Sequence, residues 1–157
     1  MADETPAAVV QDSEGLLARD FALEIDGQRV SGLIAIRGLV SFRLDVRTTT
    51  SIRKLQEPFK ITRMLLRDPQ HPCNVWVRET FEAGEDIVRP ARTLTLLAPA
   101  TGVETQRWTV QDAWIADVSY SDLDSSSSDV LEETLTIHYK DIEASQARDA
   151  GDALPAD

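Results

Sequence analysis

Three aspartates around a run of serines form the first group of residues that could do chemistry. Asp122, Asp124 and Asp129 enclose four consecutive serines, and carboxylate and hydroxyl oxygens are ligands that Ca²⁺ prefers. The segment lacks the glycine and the bidentate glutamate of an EF-hand loop. Aspartate and serine are also the ordinary residues of solvated turns, and that interpretation is favoured.

A second group could supply a nucleophile. His71 and Cys73 flank a proline, and a nucleophilic cysteine needs a histidine within hydrogen-bond reach and a third group that orients it. The proline opposes that geometry, and Cys73 falls on the apolar positions of a predicted helix, which favours a buried structural thiol. His138 alternates with threonines on a polar strand face and is expected to be an ordinary surface histidine.

The tryptophans could form a stacking surface for a ligand. Trp76, Trp108 and Trp114 each lie among apolar residues of a predicted element, however, which favours core packing. The chain has no glycine-rich phosphate loop and no nucleophile elbow, and two histidines with one cysteine cannot complete a usual tetrahedral zinc site. We therefore predict no catalytic residues, no cofactor and no metal.

Alternating apolar and polar residues predict strands as the main elements. Residues 21–25 and 28–30 should pair across an Asp26-Gly27 turn. Residues 39–47 should form a half-buried strand with Val40, Phe42, Leu44 and Val46 on its covered face. Further strands are predicted over residues 59–67, 91–97, 104–118 and 130–139.

One segment has helical periodicity. Pro69 and Pro72 precede apolar positions spaced for a single helix face, and Gly84 should end the helix. These positions are Cys73, Trp76, Val77, Thr80 and Phe81. The predicted fold is mainly β, an antiparallel β-sandwich or partial barrel with one flanking α-helix.

Length and composition indicate one domain with acidic ends. The chain has 157 residues, 42% of them hydrophobic, which suffices for one core without disulfides. Residues 1–19 and 143–157 are acidic and aperiodic and are predicted to be disordered tails, leaving a β domain over residues 20–142. The acidic start lacks a signal-peptide pattern, and no apolar run could anchor the chain in a membrane. We expect folding in the cytoplasm.

Charge is unevenly distributed along the domain. The net charge of −11 opposes recognition of nucleic acid. Residues 29–67 nevertheless carry nine basic and two acidic residues, whereas residues 112–143 carry nine acidic residues and one basic residue. One stretch is basic and a later one is acidic.

The order of several short motifs resembles the tail-tube protein family of contractile phages and phage-derived contractile injection particles. The resemblance covers about residues 20–142 and rests on the following segments: Phe21-Ala-Leu-Glu-Ile-Asp-Gly27, Arg37-Gly38-Leu39, Arg53-Lys54-Leu55, the tryptophan-bearing helix, Arg107-Trp108, Ala113-Trp114, and Ser126-Ser-Ser-Asp129-Val130 before Glu133-Thr134-Leu135.

The resemblance implies a structural subunit. It implies hexameric rings that stack into a tube with a continuous inner β-barrel and a lumen able to hold cargo. Sheath and baseplate or spike proteins are the implied partners, and the final location is a virion or a phage tail-like particle. The segment around residues 48–52 is shorter than the family's hairpin extension, which predicts a specialised ring at the baseplate or tube end, or a minority component.

We further expect the two charged stretches to meet between copies, head to tail. Arg43, Arg47, Arg53 and Lys54 of one copy should face Asp122, Asp124, Asp129 and Glu132 of another. The alternative from another functional class is a soluble β-sandwich module that binds a small or carbohydrate ligand through its tryptophans. Neighbouring genes for sheath and spike proteins would favour the tube subunit.

Overall fold

The computed structural model describes residues 15–146. This range is mainly β and antiparallel with a single helix, as predicted. Residues 1–14 and 147–157, which include most of the two predicted tails, lie outside the described residues. The elements are β1 (Ala22–Ile25), β2 (Gln28–Arg29), β3 (Leu33–Arg37), β4 (Leu44–Thr48), β5 (Ser51–Lys54), β6 (Phe59–Met64), α1 (Pro72–Ala83), β7 (Arg92–Ala98), β8 (Gln106–Tyr120), β9 (Glu132–His138) and β10 (Asp141–Gln146).

The 15-residue strand β8 belongs to two sheets. Its first half pairs with β7 on one side and with β10 on the other, and its second half pairs with β9. Strands β1 and β2 extend the first sheet beyond β7, while β6 and β3 extend the second sheet beyond β9. The two sheets therefore enclose a common interior and share one continuous strand.

Asp112 lies where β8 passes from one sheet to the other. Its φ of 51° is in the left-handed region, which aspartate enters more readily than most residues. The register between β7 and β8 shifts at the same level, between Arg92 and Leu94. An extra residue in one strand is a β-bulge and bends that strand, so the bulge turns β8 between the sheets.

Apolar side chains from both sheets and from α1 fill the interior, and the fully buried large ones include Leu23, Phe59, Ile61, Trp76, Leu94, Val110, Ile115, Leu135 and Ile137. The predicted Asp26-Gly27 turn is confirmed, with φ of 50° and 83°. Two successive positive φ values are those of a type I′ turn between paired strands. The strands predicted over residues 59–67 and 130–139 contribute Phe59, Ile61, Leu135 and Ile137 to this core.

The helix α1 begins and ends close to the residues that the sequence indicated. His71 is its N-cap, and the ring Nδ1 accepts a hydrogen bond from the Cys73 backbone N–H at 3.2 Å. Pro72 occupies the first turn, where a missing N–H costs nothing. Gly84 follows the last turn with φ of 56°, a conformation that favours glycine.

The prediction of a half-buried strand over residues 39–47 is wrong. Strand β4 begins only at Leu44 and pairs with β5 in a separate two-stranded sheet. Phe42 and Val46 are 67% and 60% exposed, and Ile52 of β5, opposite Val46, is 53% exposed. The alternating pattern does produce a two-faced strand, but nothing in the described chain covers the apolar face.

Three strands were not anticipated. Strand β3 lies between two predicted strands, β5 falls in and beyond the expected connector, and β10 extends to Gln146, four residues past the expected domain boundary. The sequence of β10, DIEASQ, has little apolar alternation because only Ile142 is buried. Its position depends on pairing with β8 rather than on a pattern of its own.

Candidate assembly surfaces

The β4–β5 hairpin projects a surface that is apolar on one face and basic around it. Leu44, Val46 and Ile52 share the apolar face, and Asp45 pairs with Arg53 across the other. All four cations predicted for a subunit interface lie on the hairpin or directly before it: Arg43, Arg47, Arg53 and Lys54. The structure therefore brings this half of the predicted interface together.

Intrachain contacts engage three of these cations to different degrees. Arg43 lies 3.1 Å from Glu57, and Arg47 lies 3.4 Å from Asp45 in an exposed pair. Such exposed pairs contribute only about 0–1 kcal/mol. Within residues 15–146 the structure gives the Arg53 side chain no ion pair, so its guanidinium is available to another molecule.

Lys54 anchors the base of the hairpin to the domain. Its Nζ donates to Asp141 Oδ1 at 2.7 Å, a contact between β5 and the start of β10. This hydrogen bond lowers the pKa of the Asp141 carboxyl below its usual value. A second hydrogen bond at the base of the hairpin is donated by the Tyr139 hydroxyl to the Glu57 carbonyl at 2.7 Å.

The four predicted acidic residues line one groove of about 770 Å³. The loop between β8 and β9 supplies Asp122, Asp124 and Asp129, and Glu132 begins β9. Apolar side chains lie beside the carboxylates, so the groove is acidic and partly apolar. They are Ile34, Met64, Leu123, Val130 and Leu131.

The acidic residues differ in their local roles. Asp124 Oδ1 accepts hydrogen bonds from the Ser126 N–H at 3.0 Å and from Ser126 Oγ at 2.8 Å, which lowers the pKa of Asp124. This is the turn that the sequence favoured over a calcium loop. Among the described residues, no group of three or more histidines, cysteines, aspartates or glutamates is placed to hold a metal ion.

The hairpin and the acidic groove lie at opposite ends of β6. The hairpin joins the end of β3 to the start of β6, where Arg37 pairs with Lys60. The groove includes Met64, the last residue of β6, and its partner Glu132. Six residues of strand separate these ends by about 20 Å. No ion pair within the described residues joins the basic set to the acidic set.

The His71–Cys73 pair is not arranged for nucleophilic catalysis. Burial raises the pKa of the Cys73 thiol to about 11, so a thiolate is disfavoured near neutral pH. The His71 ring meets the backbone of Cys73 through Nδ1, and its Nε2 lies 3.1 Å from the Ser31 carbonyl. Since a carbonyl only accepts, Nε2 must donate, and both ring nitrogens are thereby engaged.

The tryptophans do not form a common platform. Trp76 is fully buried and its Nε1 donates to the Pro90 carbonyl at 3.0 Å, as core packing predicted. Trp108 is partly buried against the core. Trp114 stacks on His138 with ring centroids 5.0 Å apart, so His138 is held against an aromatic ring rather than standing alone on the surface.

The sequence pattern did not reveal a buried ion pair. Arg63 and Glu133 face each other across β6 and β9 with both side chains almost fully buried. Each has the same parity as the apolar residues of its strand, Ile61 in β6 and Leu135 in β9. Opposite charges at two core positions of adjacent strands were the available signal.

No helix within residues 15–146 is long and apolar enough to cross a membrane. The sequence matches the family model described as T4-like virus tail tube protein gp19 over residues 18–143. A search of curated proteins finds no match.

Solved structures share the fold at low sequence identity. A chain from the sheath–tube complex of the extracellular contractile injection system PVC, in its extended state, is 8% identical with a TM-score of 0.70, covering 92% of this chain and 100% of that one. A chain from the tube-terminating cap of the anti-feeding prophage is 11% identical with a TM-score of 0.66, covering 94% and 95%. Hcp1 from Flavobacterium johnsoniae is 14% identical with a TM-score of 0.51, covering 81% and 95%. The predicted fold class is confirmed.

Proposed function

The chain belongs to the T4-like virus tail tube protein gp19 family, and we propose that it is a subunit of the inner tube of a contractile tail or injection particle, built from stacked hexameric rings. The observation that carries this proposal is the pair of complementary surfaces at opposite ends of β6. One end presents the apolar and basic hairpin, and the other presents the acidic groove with apolar walls.

Complementary surfaces at opposite ends favour a head-to-tail contact. Such a heterologous contact does not satisfy itself within a dimer but repeats from copy to copy. The hairpin apolar face formed by Leu44, Val46 and Ile52 would meet the apolar wall of the groove, and the surrounding arginines would meet Asp122, Asp129 and Glu132. Opposite charges at the rim would set the register of the contact.

Open sheet edges supply the lateral contact. Within the described range, β3 is bonded only to β6 and β10 only to β8, so each has one edge of free backbone donors and acceptors. Such edges invite pairing with another chain, and closure of a ring removes them. Pairing around six copies would produce the continuous inner β-barrel.

The proposed role is structural, with no catalytic step. Assembly takes place in the cytoplasm, and the tube becomes part of a virion or a released phage tail-like particle with sheath and baseplate or spike proteins as partners. The lumen is the place for cargo. The buried Cys73 thiol and the engaged His71 ring support a non-enzymatic role.

The short β4–β5 hairpin favours a particular position of the subunit in the tube. Only Thr49 and Thr50 lie between β4 and β5, so the hairpin reaches a limited distance from the domain. A ring at the tube end or at the baseplate needs a like partner on one side only, and we include this specialised position in the proposal. Tubes of the purified chain that stop at one or two rings would support it.

Negative-stain microscopy tests the proposed function. Concentrated full-length protein, and particles from the producing cell, should show annuli with sixfold symmetry or stacks of them. A chain that stays monomeric at high concentration and is monomeric in native particles would contradict the proposal.

A further inference from the structure

The second sheet is open at both of its edges. Its four strands are β3, β6, β9 and the second half of β8, and each is antiparallel to the next. Within residues 15–146, β3 pairs only with β6, and residues 114–120 of β8 pair only with β9. The open edge of β10 belongs to the first sheet. Three strand spacings, or about 14 Å, therefore separate two free edges of one sheet.

These two edges can join between neighbouring copies. Because direction alternates over four strands, β3 and the second half of β8 run in opposite directions. When copies related by rotation stand side by side, β3 of one copy can pair antiparallel with residues 114–120 of the next. We call this contact the seam. Repetition of the seam around a ring leaves the second sheet without an open edge.

Each of the two edges carries a single charged side chain, and the two charges have opposite sign. Arg37 is the only charged residue of β3, and Asp117 is the only one within residues 114–120. Arg37 lies opposite Lys60 of β6. Lys60 lies opposite Thr136 of β9, which in turn lies opposite Asp117. Residues opposite each other point to the same face of a sheet, so Arg37 and Asp117 share one face and one level.

Neither charge is neutralised inside the protomer. Both residues are exposed, and among the described residues neither has an ion pair. Arg37 Nη1 donates to the Thr62 hydroxyl at 3.3 Å, a neutral partner that leaves the positive charge unpaired. Lys60 lies in the same row as Asp117, but two strand spacings, about 10 Å, separate their backbones. A neighbouring copy would bring an opposite charge closer to each edge.

We propose that Arg37 of one copy and Asp117 of the next form an ion pair that fixes the register of the seam. This inference rests on the proposed function, because it requires a ring. A shift by one residue would turn the side chains to the wrong face, so only shifts by two are compatible with the core. Arginine can reach the residue directly opposite or a diagonal neighbour two residues away. The next positions on this face, Ala35 and Ser119, are small and neutral, so the charge pair selects the register.

Mixing two charge-reversed chains tests the inference. One chain carries Arg37→Glu and the other carries Asp117→Arg, and each chain alone places like charges at every seam. In an equimolar mixture the two chains can alternate around a ring of six, so that every seam again joins opposite charges. Arg78→Glu is the matched control, because Arg78 is exposed on α1 outside the second sheet. Sedimentation velocity measures the protein concentration at which rings form, and circular dichroism verifies folding.

We expect each reversed chain alone to need at least ten-fold more protein to form rings. The mixture should form rings close to the parental concentration, and the control should match the parent. Ring formation by either reversed chain at the parental concentration would overturn the inference. Failure of two folded chains to complement each other would overturn it as well, since Arg37 and Asp117 would then act separately.

The neutral variants Arg37→Gln and Asp117→Asn keep the inference testable where a reversal prevents folding. Each should weaken ring formation and make it less sensitive to salt, because an ion pair between copies is screened by salt and a neutral contact is not. Parental salt sensitivity in both neutral variants would overturn the inference. Failure of the parent itself to form rings would instead contradict the proposed function.

Discussion

Arg63 and Glu133 form an ion pair in the interior, with Arg63 Nη2 2.8 Å from Glu133 Oε1 and both side chains 1% exposed. The guanidinium also donates to Asn74 Oδ1 at 2.6 Å, which links the second sheet to α1. One nitrogen, Nη1, has no partner among the described residues. The pair therefore connects two layers of the fold but is not fully satisfied.

Replacing Arg63 by Met should destabilise the domain strongly. It leaves the Glu133 carboxylate buried without its cation, and removal of one member of a buried pair typically costs about 3–5 kcal/mol. The double variant Arg63→Met/Glu133→Leu should lose less than the single variant because no charge is left behind. Urea unfolding measures both, and equal losses in the two variants would refute this account.

The Cys73 thiol should react only when the domain opens. A pKa of about 11 against a usual 9.0 lowers its thiolate fraction near pH 8 by about 100-fold. Because the folded pKa is raised, this group stabilises the fold below pH 9, and that contribution is lost as pH rises toward 11. Alkylation with iodoacetamide, compared in buffer and in urea, checks whether the Cys73 thiol reacts only in the unfolded chain. Rapid labelling of the folded chain would count against a buried thiol.

The apolar face of the hairpin should matter for assembly and not for folding. Val46→Ser/Ile52→Ser removes side chains that the isolated protomer leaves exposed, so the free energy of unfolding should change by less than about 0.5 kcal/mol. Ring stacking should weaken measurably in sedimentation velocity. A drop in protomer stability with unchanged stacking would show that the face is covered within one chain.

Charge reversal should distinguish the proposed head-to-tail contact between rings from a general effect of surface charge. Arg47→Glu/Arg53→Glu should block stacking while the protomer keeps its β-sheet circular dichroism. Asp129→Arg/Glu132→Arg in the same chain should partly restore it, and these two acids are better choices than Asp124, whose carboxylate holds the turn at Ser126. Arg29→Glu/Arg78→Glu is a control of equal charge change elsewhere.

Low salt is the informative condition for that comparison, because exposed charges are least screened there. Stacking of the Arg47/Arg53 variant at the parental level in low salt would exclude an electrostatic axial contact. Equal inhibition by the control pair would indicate that net charge, and not position, decides assembly.

Acid should loosen the base of the hairpin. The Lys54 hydrogen bond lowers the pKa of Asp141 below 3.8. A lowered carboxyl pKa means that its stabilising contribution is present above the unfolded value and is lost as pH falls through the folded pKa. NMR titration should show Asp141 protonating below pH 3.8, and Lys54→Met should shift its midpoint upward. An unchanged midpoint would show that the contact is not formed in solution.

The sequence predicted where the strands lie better than it predicted which strand faces are covered. Residue alternation and composition located most of β1, β6, β8 and β9. They could not distinguish a strand covered by its own chain from one that awaits another molecule. For Phe42, Leu44 and Val46 the apolar pattern is real, and the cover is absent from the described residues.

The charge pattern alone predicted the acidic set and the basic set. It did not predict that the two sets lie at opposite ends of β6. Which end of a strand carries each set depends on the connections around β6, and a linear count of charges contains no such information. Arg63 and Glu133 were overlooked for a related reason. Each was counted only in the total charge of its stretch, although its position in the alternation matched that of core residues in the same strand.

The shared strand β8 has a mechanical consequence. Its 15 residues run about 50 Å without a break, so a load applied to one sheet reaches the other through covalent bonds rather than across a side-chain interface. The strands on either side are antiparallel and resist sliding through rows of hydrogen bonds loaded in shear. The ladder is interrupted at the bulge beside Asp112 and at a second register shift between Ile115 and Asp117, and these are the points of the described strand where bending is easiest. Mechanical continuity between the two sheets is thus a property of the single protomer.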